Sequence, residues 1–305
     1  MKIKSLGGEN PLAVSIVGLG CNAFGRRIDE ARTRSVIDGA LDYGVTFFDT
    51  ADSYGDGSSE EFIGRALQGR RDRVTIATKF GWGGLYAGKS IGSRANMRAA
   101  LDASLRRLQS DYVELYQLHK PDPVCPIEET LHGLEELVQE GRIRFYGCSN
   151  FSASQLTEAI SIADRDGLSG FRTAQNPWNA LDRAIEENLV PICEEQNIGI
   201  LPYYPLARGL LTGKYRRGQA SPNGSRLGND PASKEEYDQL EKLETYAFQR
   251  GYDLLTLGIS WLVSQKSTLS VISGATHPDQ VCANAMASEW EMTNSELQEI
   301  DYLLS

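Results

Sequence analysis

Long apolar runs are missing from this sequence. No stretch approaches the roughly 20 consecutive apolar residues that a helix needs to cross a bilayer. The first ten residues, MKIKSLGGEN, also lack the apolar segment of a secretory signal peptide. We therefore expect a cytoplasmic protein with no membrane partner.

Positive charge is scarce as well. The chain has 31 Lys and Arg residues against 41 Asp and Glu residues, which gives a formal net charge of -10. Binding to a nucleic-acid backbone depends on clustered Lys and Arg, so this balance argues against a nucleic-acid partner. The basic pairs are short and flanked by acids or turns, and we interpret them as solvated surface. They are Arg26-Arg27, Arg70-Arg71 and Arg216-Arg217.

Cysteine pairs with the spacing of a redox or metal motif are absent too. The five cysteines are an odd number, are widely scattered and include no CxxC. We expect reduced thiols, and Cys148 and Cys193, which stand in apolar runs, are expected in the core. His132 lies within a helical run and is assigned to the helix surface. The sequence therefore predicts no metal site.

The composition that remains is typical of a globular protein. Hydrophobic residues make up 41% and charged residues 24% of the chain. At 305 residues the chain exceeds the common domain length, but α/β barrels of ~250 residues or more fold as one unit. We therefore expect a single domain over residues 1–305.

Short segments rich in β-branched residues recur along the chain, and each is continuously apolar rather than alternating. This pattern is typical of strands buried on both faces of a parallel sheet. The candidate strands are residues 14–19, 46–49, 74–79, 113–119, 143–149, 171–176, 199–204 and 269–273.

Amphipathic helical patterns alternate with these strands. They cover residues 30–43, 59–68, 94–108, 127–139, 153–166, 186–196, 235–265 with an interruption, and 278–287. Capping boxes, in which side chains bind the free amides of a helix start, support three helix starts. These pairs are Ser58 with Glu61, Ser152 with Gln155, and Thr293 with Glu296.

Repeated strand–helix alternation indicates either a closed (β/α)8 barrel or an open doubly wound sheet. An open dinucleotide-binding sheet carries G-x-G-x-x-G after its first strand. Here Gly18-Leu19-Gly20 is followed by CNAFG, which misplaces the third glycine. We therefore predict an α/β fold, a (β/α)8 TIM barrel with eight parallel strands.

Polar residues at the ends of the predicted strands indicate where chemistry takes place, because barrel active sites collect at the carboxyl ends of the strands. Asp49 ends the second predicted strand and Tyr54 follows it closely. Lys79 ends the third strand and His119 ends the fourth. Four ionisable groups are thus expected at one rim.

These four groups suit the reduction of a carbonyl. Hydride addition leaves an alkoxide that must be protonated, and Tyr54 is predicted to donate that proton once a nearby cation lowers its pKa from about 10. Lys79 is the predicted cation, held and oriented by Asp49. His119 is predicted to hydrogen-bond the substrate oxygen.

Longer motifs resemble the aldo-keto reductase family. They are GVTFFDTADSYG, LYQLHKPDP, GRIRFYGCSNF, TAQNPWN, YYPLARGLLTGKY and SGATHPDQVCAN. The resemblance extends over nearly the whole chain, in order. It implies a (β/α)8 barrel, reversible NAD(P)H-dependent reduction of aldehydes or ketones to alcohols, and a catalytic tetrad of Asp49, Tyr54, Lys79 and His119.

The same resemblance implies NADP(H) as the cofactor, with NAD(H) as the alternative. Ser149, Asn150 and Gln175 match the residues that hold the nicotinamide carboxamide, and Tyr203 matches the ring on which the nicotinamide stacks. The complete set of matching cofactor positions is Ser149, Asn150, Gln175, Tyr203, Tyr204, Pro205, Leu206, Gly209, Leu211, Gly274, Thr276, Gln280 and Asn284.

One segment departs from the family pattern. Many members place a Lys or Arg within the segment that binds the adenosine end, where it meets the 2′-phosphate of NADPH. Residues 274–280 contain neither. Thr276, His277 and Gln280 remain candidate donors, and Arg208 or Lys214 is expected to reach the phosphate from the facing loop.

Aromatic residues near the predicted strand ends are candidates for the wall of a substrate pocket. They are Phe24, Trp82, Tyr86 and Trp178. The loops at residues 81–90 and 215–232 are expected to shape the mouth of the barrel and to select a small carbonyl substrate.

Two other functions stay open at this point. Some members of the family resemble channel β-subunits that bind NADPH tightly and turn over poorly, so a cofactor-binding regulatory subunit is an alternative. A barrel glycosidase would use paired carboxylates, for which Asp49 and Asp52 are candidates. The tyrosine, lysine and histidine predicted beside these carboxylates are not typical of a glycosidase site.

Overall fold

A computed structural model describes residues 1–7, 11–82, 90–220, 227 and 232–304. The strands are β1 Ile3–Leu6, β2 Leu12–Ser15, β3 Val17–Gly20, β4 Phe47–Asp49, β5 Thr75–Phe80, β6 Val113–Leu118, β7 Ile143–Ser149, β8 Thr173–Gln175, β9 Gly199–Ile200 and β10 Val271–Gly274. The α-helices are α1 Glu30–Asp42, α2 Ser58–Ala66, α3 Arg94–Leu108, α4 Ile127–Gln139, α5 Ala153–Asp166, α6 Leu189–Glu195, α7 Lys234–Gln249, α8 Leu254–Val263, α9 Pro278–Met286 and α10 Asn294–Leu304.

Strands β3 to β10 form one parallel sheet in which β10 lies beside β3 and the others follow in sequence order. The backbone closes the remaining gap between β9 and β10, since Leu269 N donates to Ile200 O at 2.8 Å and Ile272 N donates to Pro202 O at 2.9 Å. The predicted eight-stranded (β/α)8 barrel is confirmed. The helices alternate with these strands along the chain.

A hairpin of β1 and β2 precedes the barrel and was not predicted. The two strands pair antiparallel, and Leu12 and Val14 of the hairpin are buried in a cluster with barrel residues such as Phe47 and Leu115. The single strand predicted at residues 14–19 is therefore wrong. The Ser15 hydroxyl binds the amide groups of residues 46 and 47, and the chain passes there from the hairpin into β3.

Amphipathic patterns predict the outer helices, and side-chain caps support some of their starts. Helices α3, α4 and α5 have the predicted bounds, and α5 starts with the predicted capping box of Ser152 and Gln155. Thr293 and Glu296 also exchange hydrogen bonds at the start of α10. The box predicted at Ser58 is wrong, because the cap of α2 is Gly57 with φ +96°.

Other boundaries also differ from prediction. Helix α6 starts at Leu189 rather than three residues earlier, and the strand predicted over 199–204 has regular pairing only at Gly199–Ile200. Cys148 and Cys193 are fully buried as expected, and all five cysteines are free thiols. Within the described residues, no helix combines the length and the apolar composition required to traverse a bilayer.

Candidate active site

The predicted catalytic residues lie together at the carboxyl ends of the strands. Asp49, Tyr54 and His119 line a cavity of about 600 Å³, and Lys79 lies behind them. Asp49 ends β4, Lys79 lies near the end of β5 and His119 directly follows β6. The predicted site residues that line this cavity are Asp49, Tyr54, Trp82, His119, Ser149, Asn150, Gln175, Tyr203, Tyr204, Pro205 and Gly274.

Lys79 forms a buried ion pair behind the cavity wall. Its side chain is 0% exposed, and Nζ donates to Asp49 Oδ2 at 2.8 Å and to Thr50 O at 2.8 Å. Asp49 Oδ1 accepts a hydrogen bond from Gln175 Nε2 at 2.8 Å. Burial opposes the ammonium charge, but Asp49 and Tyr54 outweigh it and raise the pKa of Lys79. The lysine is therefore a fixed cation.

Both carboxylate oxygens of Asp49 are thus committed to Lys79 and Gln175. A glycosidase needs a carboxyl group that is free to exchange a proton or attack a sugar. The geometry does not favour the glycosidase alternative, in which Asp49 would be paired with Asp52.

Tyr54 starts a short 3-10 turn, Tyr54–Gly57, just after β4. The Nζ atom of Lys79 lies 5.1 Å from the centroid of the tyrosine ring. Burial raises the pKa of Tyr54 above its ordinary value of 10, and the attraction of Lys79 offsets only part of this effect. The expectation that the cation brings the pKa below 10 is therefore wrong. At neutral pH the phenol is protonated and able to donate.

His119 stands beside Tyr54, with the two ring centroids 5.9 Å apart. Its backbone N donates to Phe80 O at 2.9 Å, which fixes the residue at the end of β6. Burial, followed by the charges of Lys79 and Lys120, lowers the pKa of His119 to about 2. The imidazole is therefore neutral and offers one N–H donor. Its Nδ1 atom has no hydrogen-bond partner among the described residues.

The aromatic candidates for the substrate pocket are divided. Trp82 lines the cavity, and its ring centroid lies 5.1 Å from that of His119. Phe24 and Trp178 are 0% and 1% exposed, do not line the cavity and belong to the core. The indole N–H of Trp178 is bound to Glu186. Tyr86 lies outside the described residues.

The residues expected to bind the nicotinamide carboxamide form hydrogen bonds with one another and with their neighbours in the site. Ser149 Oγ donates to the carbonyl of Gln175 at 2.9 Å, and Asn150 Nδ2 donates to the carbonyl of His119 at 2.9 Å. Tyr203 Oη donates to Asn150 Oδ1 at 2.6 Å. Asn150 has a φ of +61°, a conformation that asparagine tolerates better than most residues. These contacts place polar groups and one aromatic ring on the same wall.

A second cavity of about 360 Å³ continues from the first. The two share Tyr204, Pro205 and Gly274, so together they form one elongated cleft. The Ser273 hydroxyl borders the second cavity, is buried and has no partner in the part of the chain that the structure describes. The other predicted cofactor residues that line it are Leu206, Gly209, Thr276, Gln280 and Asn284.

Two predicted residues lie elsewhere. Leu211 is 0% exposed and does not line the cleft, because it packs against Gly258 of α8. His277 caps α9, and its Nδ1 accepts from the backbone of Asp279 at 3.2 Å.

Cationic residues line the second cavity, although the segment at 274–280 contains no Lys or Arg. Arg208, Lys214 and Arg27 line the second cavity. Arg26 lines the first cavity. Both side chains are exposed, as interpreted, but their place at the cleft was not predicted. The available signal was their place after the first barrel strand, on the side where the carboxyl ends meet.

Two other groups of potentially reactive side chains lie in the described part of the chain. Glu128, His132 and Asp166 present ligand-type atoms within 4.8 Å of one another. Arg165 pairs with both carboxylates, at 2.5 Å and 2.6 Å, so a cation already balances them. Cys21 lines the first cavity, but burial raises the pKa of its thiol well above the ordinary value. A thiolate is disfavoured there.

The model of the Aldo/keto reductase family matches residues 16–305. A probable voltage-gated potassium channel subunit beta of Arabidopsis thaliana is 35% identical over 300 residues, covering 94% of this chain and 91% of that protein. The aldo-keto reductase YhdN of Bacillus subtilis is 34% identical over 312 residues, covering 97% and 92%.

Solved structures are similar over the same length. A glycerol dehydrogenase from Gluconobacter oxydans has a TM-score of 0.85 and 31% identity, covering 99% of this chain and 94% of that one. An aldo-keto reductase from Bacillus halodurans, solved in a holo form, has a TM-score of 0.79 and 34% identity, covering 99% and 96%.

Proposed function

The chain belongs to the aldo/keto reductase family, and on that premise we propose that it is an NADP(H)-dependent oxidoreductase that interconverts aldehydes or ketones with alcohols. The observation that carries this proposal is the buried Lys79–Asp49 pair behind Tyr54 at the base of an elongated cleft. When bound, the nicotinamide cofactor supplies or accepts the hydride. The residues of the chain handle the proton and the orientation of the substrate.

Tyr54 is the proposed proton donor. Its raised pKa keeps the phenol protonated at neutral pH, as a general acid requires. Lys79 lies 5.1 Å from the ring centroid and stabilises the phenolate that forms when the proton leaves. Asp49 holds the ammonium in place, so the cation needs no reorganisation during the reaction.

His119 is the proposed hydrogen-bond donor to the substrate oxygen. It stands at the same end of the barrel as Tyr54, and both rings line the cavity. Because its pKa is about 2, the imidazole donates without titrating in the physiological range. Two donors would then meet one oxygen, which polarises a carbonyl for hydride attack.

The cleft fits an extended dinucleotide. Its first cavity offers Ser149, Asn150 and Gln175 for a carboxamide and Tyr203 for ring stacking. Its second cavity offers the unpartnered Ser273 hydroxyl to a polar ligand group.

The cations support NADP(H) over NAD(H). Arg27, Arg208 and Lys214 line the second cavity, where arginine forks and a lysine ammonium suit phosphate oxygens. Titration of the purified protein with NADPH and NADH separately, followed by fluorescence, tests the preference. Tighter binding of NADH would contradict it.

The activity is tested with NADPH and a generic aldehyde such as 4-nitrobenzaldehyde, followed by loss of the reduced nicotinamide absorbance. We expect turnover by the wild-type protein. In Tyr54→Phe, turnover should be lost while NADPH still binds with unchanged affinity. A phenylalanine variant with wild-type rates would rule out the assignment of the proton donor.

A cofactor-binding regulatory subunit is the second candidate function. It is favoured by the 35% identity to a protein named as a probable channel β-subunit. The Lys79–Asp49 pair lies beside Tyr54, and Tyr54 lies beside His119, as the proposed proton transfer requires. This arrangement favours an enzyme over a regulatory subunit. Cofactor that stays bound through purification, together with negligible turnover over a broad aldehyde panel, would instead favour the regulatory role.

A further inference from the structure

Arg26 occupies a tight turn at the mouth of the substrate cavity. The turn is closed by backbone hydrogen bonds from Ile28 N to Ala23 O at 3.1 Å and from Gly25 N to Ile28 O at 3.0 Å. Arg26 N also donates to Ala23 O at 3.3 Å. Arg26 lines the same cavity as Tyr54.

This turn rests directly on the turn that carries the proton donor. A Cβ atom on Gly55 would lie 2.8 Å from Phe24 O and 3.2 Å from the carbonyl carbon of Gly25, so the two backbones are in contact. Only glycine permits that approach, and Gly55 also has a φ of +58°. Arg26 is therefore held at a fixed place relative to Tyr54.

The guanidinium of Arg26 has no ion pair or hydrogen-bond partner among the described residues, whereas Arg71 and Arg107 pair with buried or nearly buried carboxylates. The charge of Lys79 is already balanced by Asp49. Arg26 is thus an unbalanced cation on the cavity wall, and its donors are open to a ligand.

The surroundings favour a polar ligand. Asn22, Ser53 and Asp56 line the cavity beside Arg26. Trp82 is one of several aromatic residues of the wall, and the ammonium of Lys120 lies 5.3 Å from its ring centroid. Asp56 has the opposite charge and forms no ion pair with Arg26 within the described chain. It is therefore expected to weaken anion binding without cancelling it.

We propose that Arg26 determines substrate specificity by binding an anionic group, a carboxylate or a phosphate, on short polar aldehydes or ketones. A planar guanidinium offers two parallel N–H donors that match the two oxygens of such a group. This inference rests on the proposed carbonyl reduction, because the anion would orient a carbonyl toward Tyr54 and His119.

Matched substrate pairs test the proposal. One pair is succinic semialdehyde against butanal, and the other is glyceraldehyde 3-phosphate against glyceraldehyde, which separates the carboxylate from the phosphate. For Arg26→Gln we expect KM to rise about tenfold or more for the charged member, with kcat and both neutral substrates within about twofold. Arg26→Lys should be intermediate, and Asp56→Asn should lower KM for the charged members.

Arg34→Gln is the matched control, because Arg34 is exposed on α1 and does not line the cleft. It should leave every kinetic constant unchanged. Equal losses on charged and neutral substrates in Arg26→Gln would overturn the proposal, and so would an unchanged KM for both charged substrates.

A binding measurement separates this proposal from the proposed function. Succinate and glycerol 3-phosphate are titrated by calorimetry into the protein saturated with NADP+, so that the cations of the second cavity are occupied. We expect binding by the wild type and its loss in Arg26→Gln. Arg26-dependent binding without turnover of any aldehyde would overturn the proposed activity and keep the anion site, whereas equal binding by both proteins would overturn the anion site.

Discussion

At the scale of single residues, Lys79 and His119 have different charge states in the site. Lys79 is buried and kept charged by Asp49, and His119 is buried and kept neutral beside it. The two groups therefore present one fixed cation and one fixed neutral donor around Tyr54. Because neither group changes its charge near neutral pH, Tyr54 is the member of the three whose proton is available for transfer.

The pH dependence of reduction follows from these states. Reduction needs the protonated phenol, which is present below the pKa of Tyr54, and burial places that pKa above its ordinary value of 10. His119, with a pKa of about 2, adds no titration step near neutrality. We expect kcat/KM for the aldehyde to stay level from about pH 6 to 9 and to fall only at higher pH. Stopped-flow measurements of NADPH oxidation check this, and an inflection near pH 6.5 would show that His119 titrates.

Removing one member of the buried ion pair is expected to cost more stability than removing both. Asp49→Asn leaves the ammonium of Lys79 buried without its counter-charge, at a cost of about 3–5 kcal/mol in the free energy of unfolding. The double variant Asp49→Asn with Lys79→Met removes the uncompensated charge and should recover most of that loss. Urea unfolding measures both. A double variant less stable than Asp49→Asn would contradict the argument.

At the scale of elements, the Tyr54 turn leads into α2, and α2 rests on α3. Gly64 makes this contact possible, since an added Cβ would lie 2.4 Å from Arg107 O and 2.7 Å from the carbonyl carbon of Leu108. The ion pair between Glu60 and Arg107 joins the same two helices, with 2.7 Å between Arg107 Nε and Glu60 Oε2. The position of Tyr54 therefore depends on how closely two helices approach.

Gly64→Ala tests this dependence. Alanine gains about 1 kcal/mol of helix propensity, but the clash with backbone atoms is expected to cost more, for a net loss of about 1–3 kcal/mol. We also expect kcat to fall, because α2 must shift together with the Tyr54 turn. Chemical unfolding and steady-state kinetics measure the two effects.

Gly133→Ala is the control, because the atoms nearest to its new Cβ belong to the side chains of Arg94 and Met97, at 3.0 Å and 3.2 Å. These side chains are able to move, so stability and kcat should change little. Equal effects of the two substitutions would show that the close backbone contact at Gly64 is unimportant.

Several elements that depend on local sequence patterns were predicted correctly. Helices α3, α4 and α5 were predicted to the residue from their amphipathic stripes, and α5 also has the local signal of a capping box. Strand ends at Asp49 and Lys79 were predictable because parallel strands buried on both faces are continuously apolar. Such local patterns are visible without knowing any neighbour.

The mistakes depend on contacts between distant segments. Phe24 and Trp178 were assigned to the pocket by type and position, but their direction is set by packing with other elements. Arg26 is exposed as predicted, but its place at the cavity was missed because it depends on the contact of its turn with Gly55. The raised pKa of Tyr54 likewise depends on burial, which no local pattern records.

At the scale of the whole molecule, the two ends of the barrel have different roles. The proposed catalytic residues lie at the carboxyl ends of the strands. The β1–β2 hairpin covers the opposite end, where Thr75, the first residue of β5, donates its hydroxyl to Ala13 O at 2.9 Å. In such barrels the amino-terminal end contributes to stability rather than to catalysis.

Leu12→Ala is the substitution that separates these roles. Leu12 is 2% exposed and packs in the cluster beneath the barrel, so the truncation should cost about 2–5 kcal/mol of unfolding free energy. Val124 is 74% exposed, and Val124→Ala, as the control, should change stability by less than about 0.5 kcal/mol. Both variants should keep wild-type kcat and KM at 25 °C, since neither residue lines the cleft.

The same experiment tests the proposal that residues 1–305 fold as a single domain. One hydrophobic cluster includes residues of every helix and of most barrel strands, and the hairpin cluster shares the barrel strands with it, so loss of the hairpin contact should propagate through the whole barrel. We expect far-ultraviolet circular dichroism and tryptophan fluorescence to report one coincident transition in the wild type, and one transition at lower urea concentration in Leu12→Ala. In a cooperative barrel the hairpin end and the end that carries the proposed active site unfold together. Activity should therefore disappear over the same range of urea. A variant that unfolds in two steps, with activity surviving the first, would show that the hairpin and the catalytic end are separate folding units.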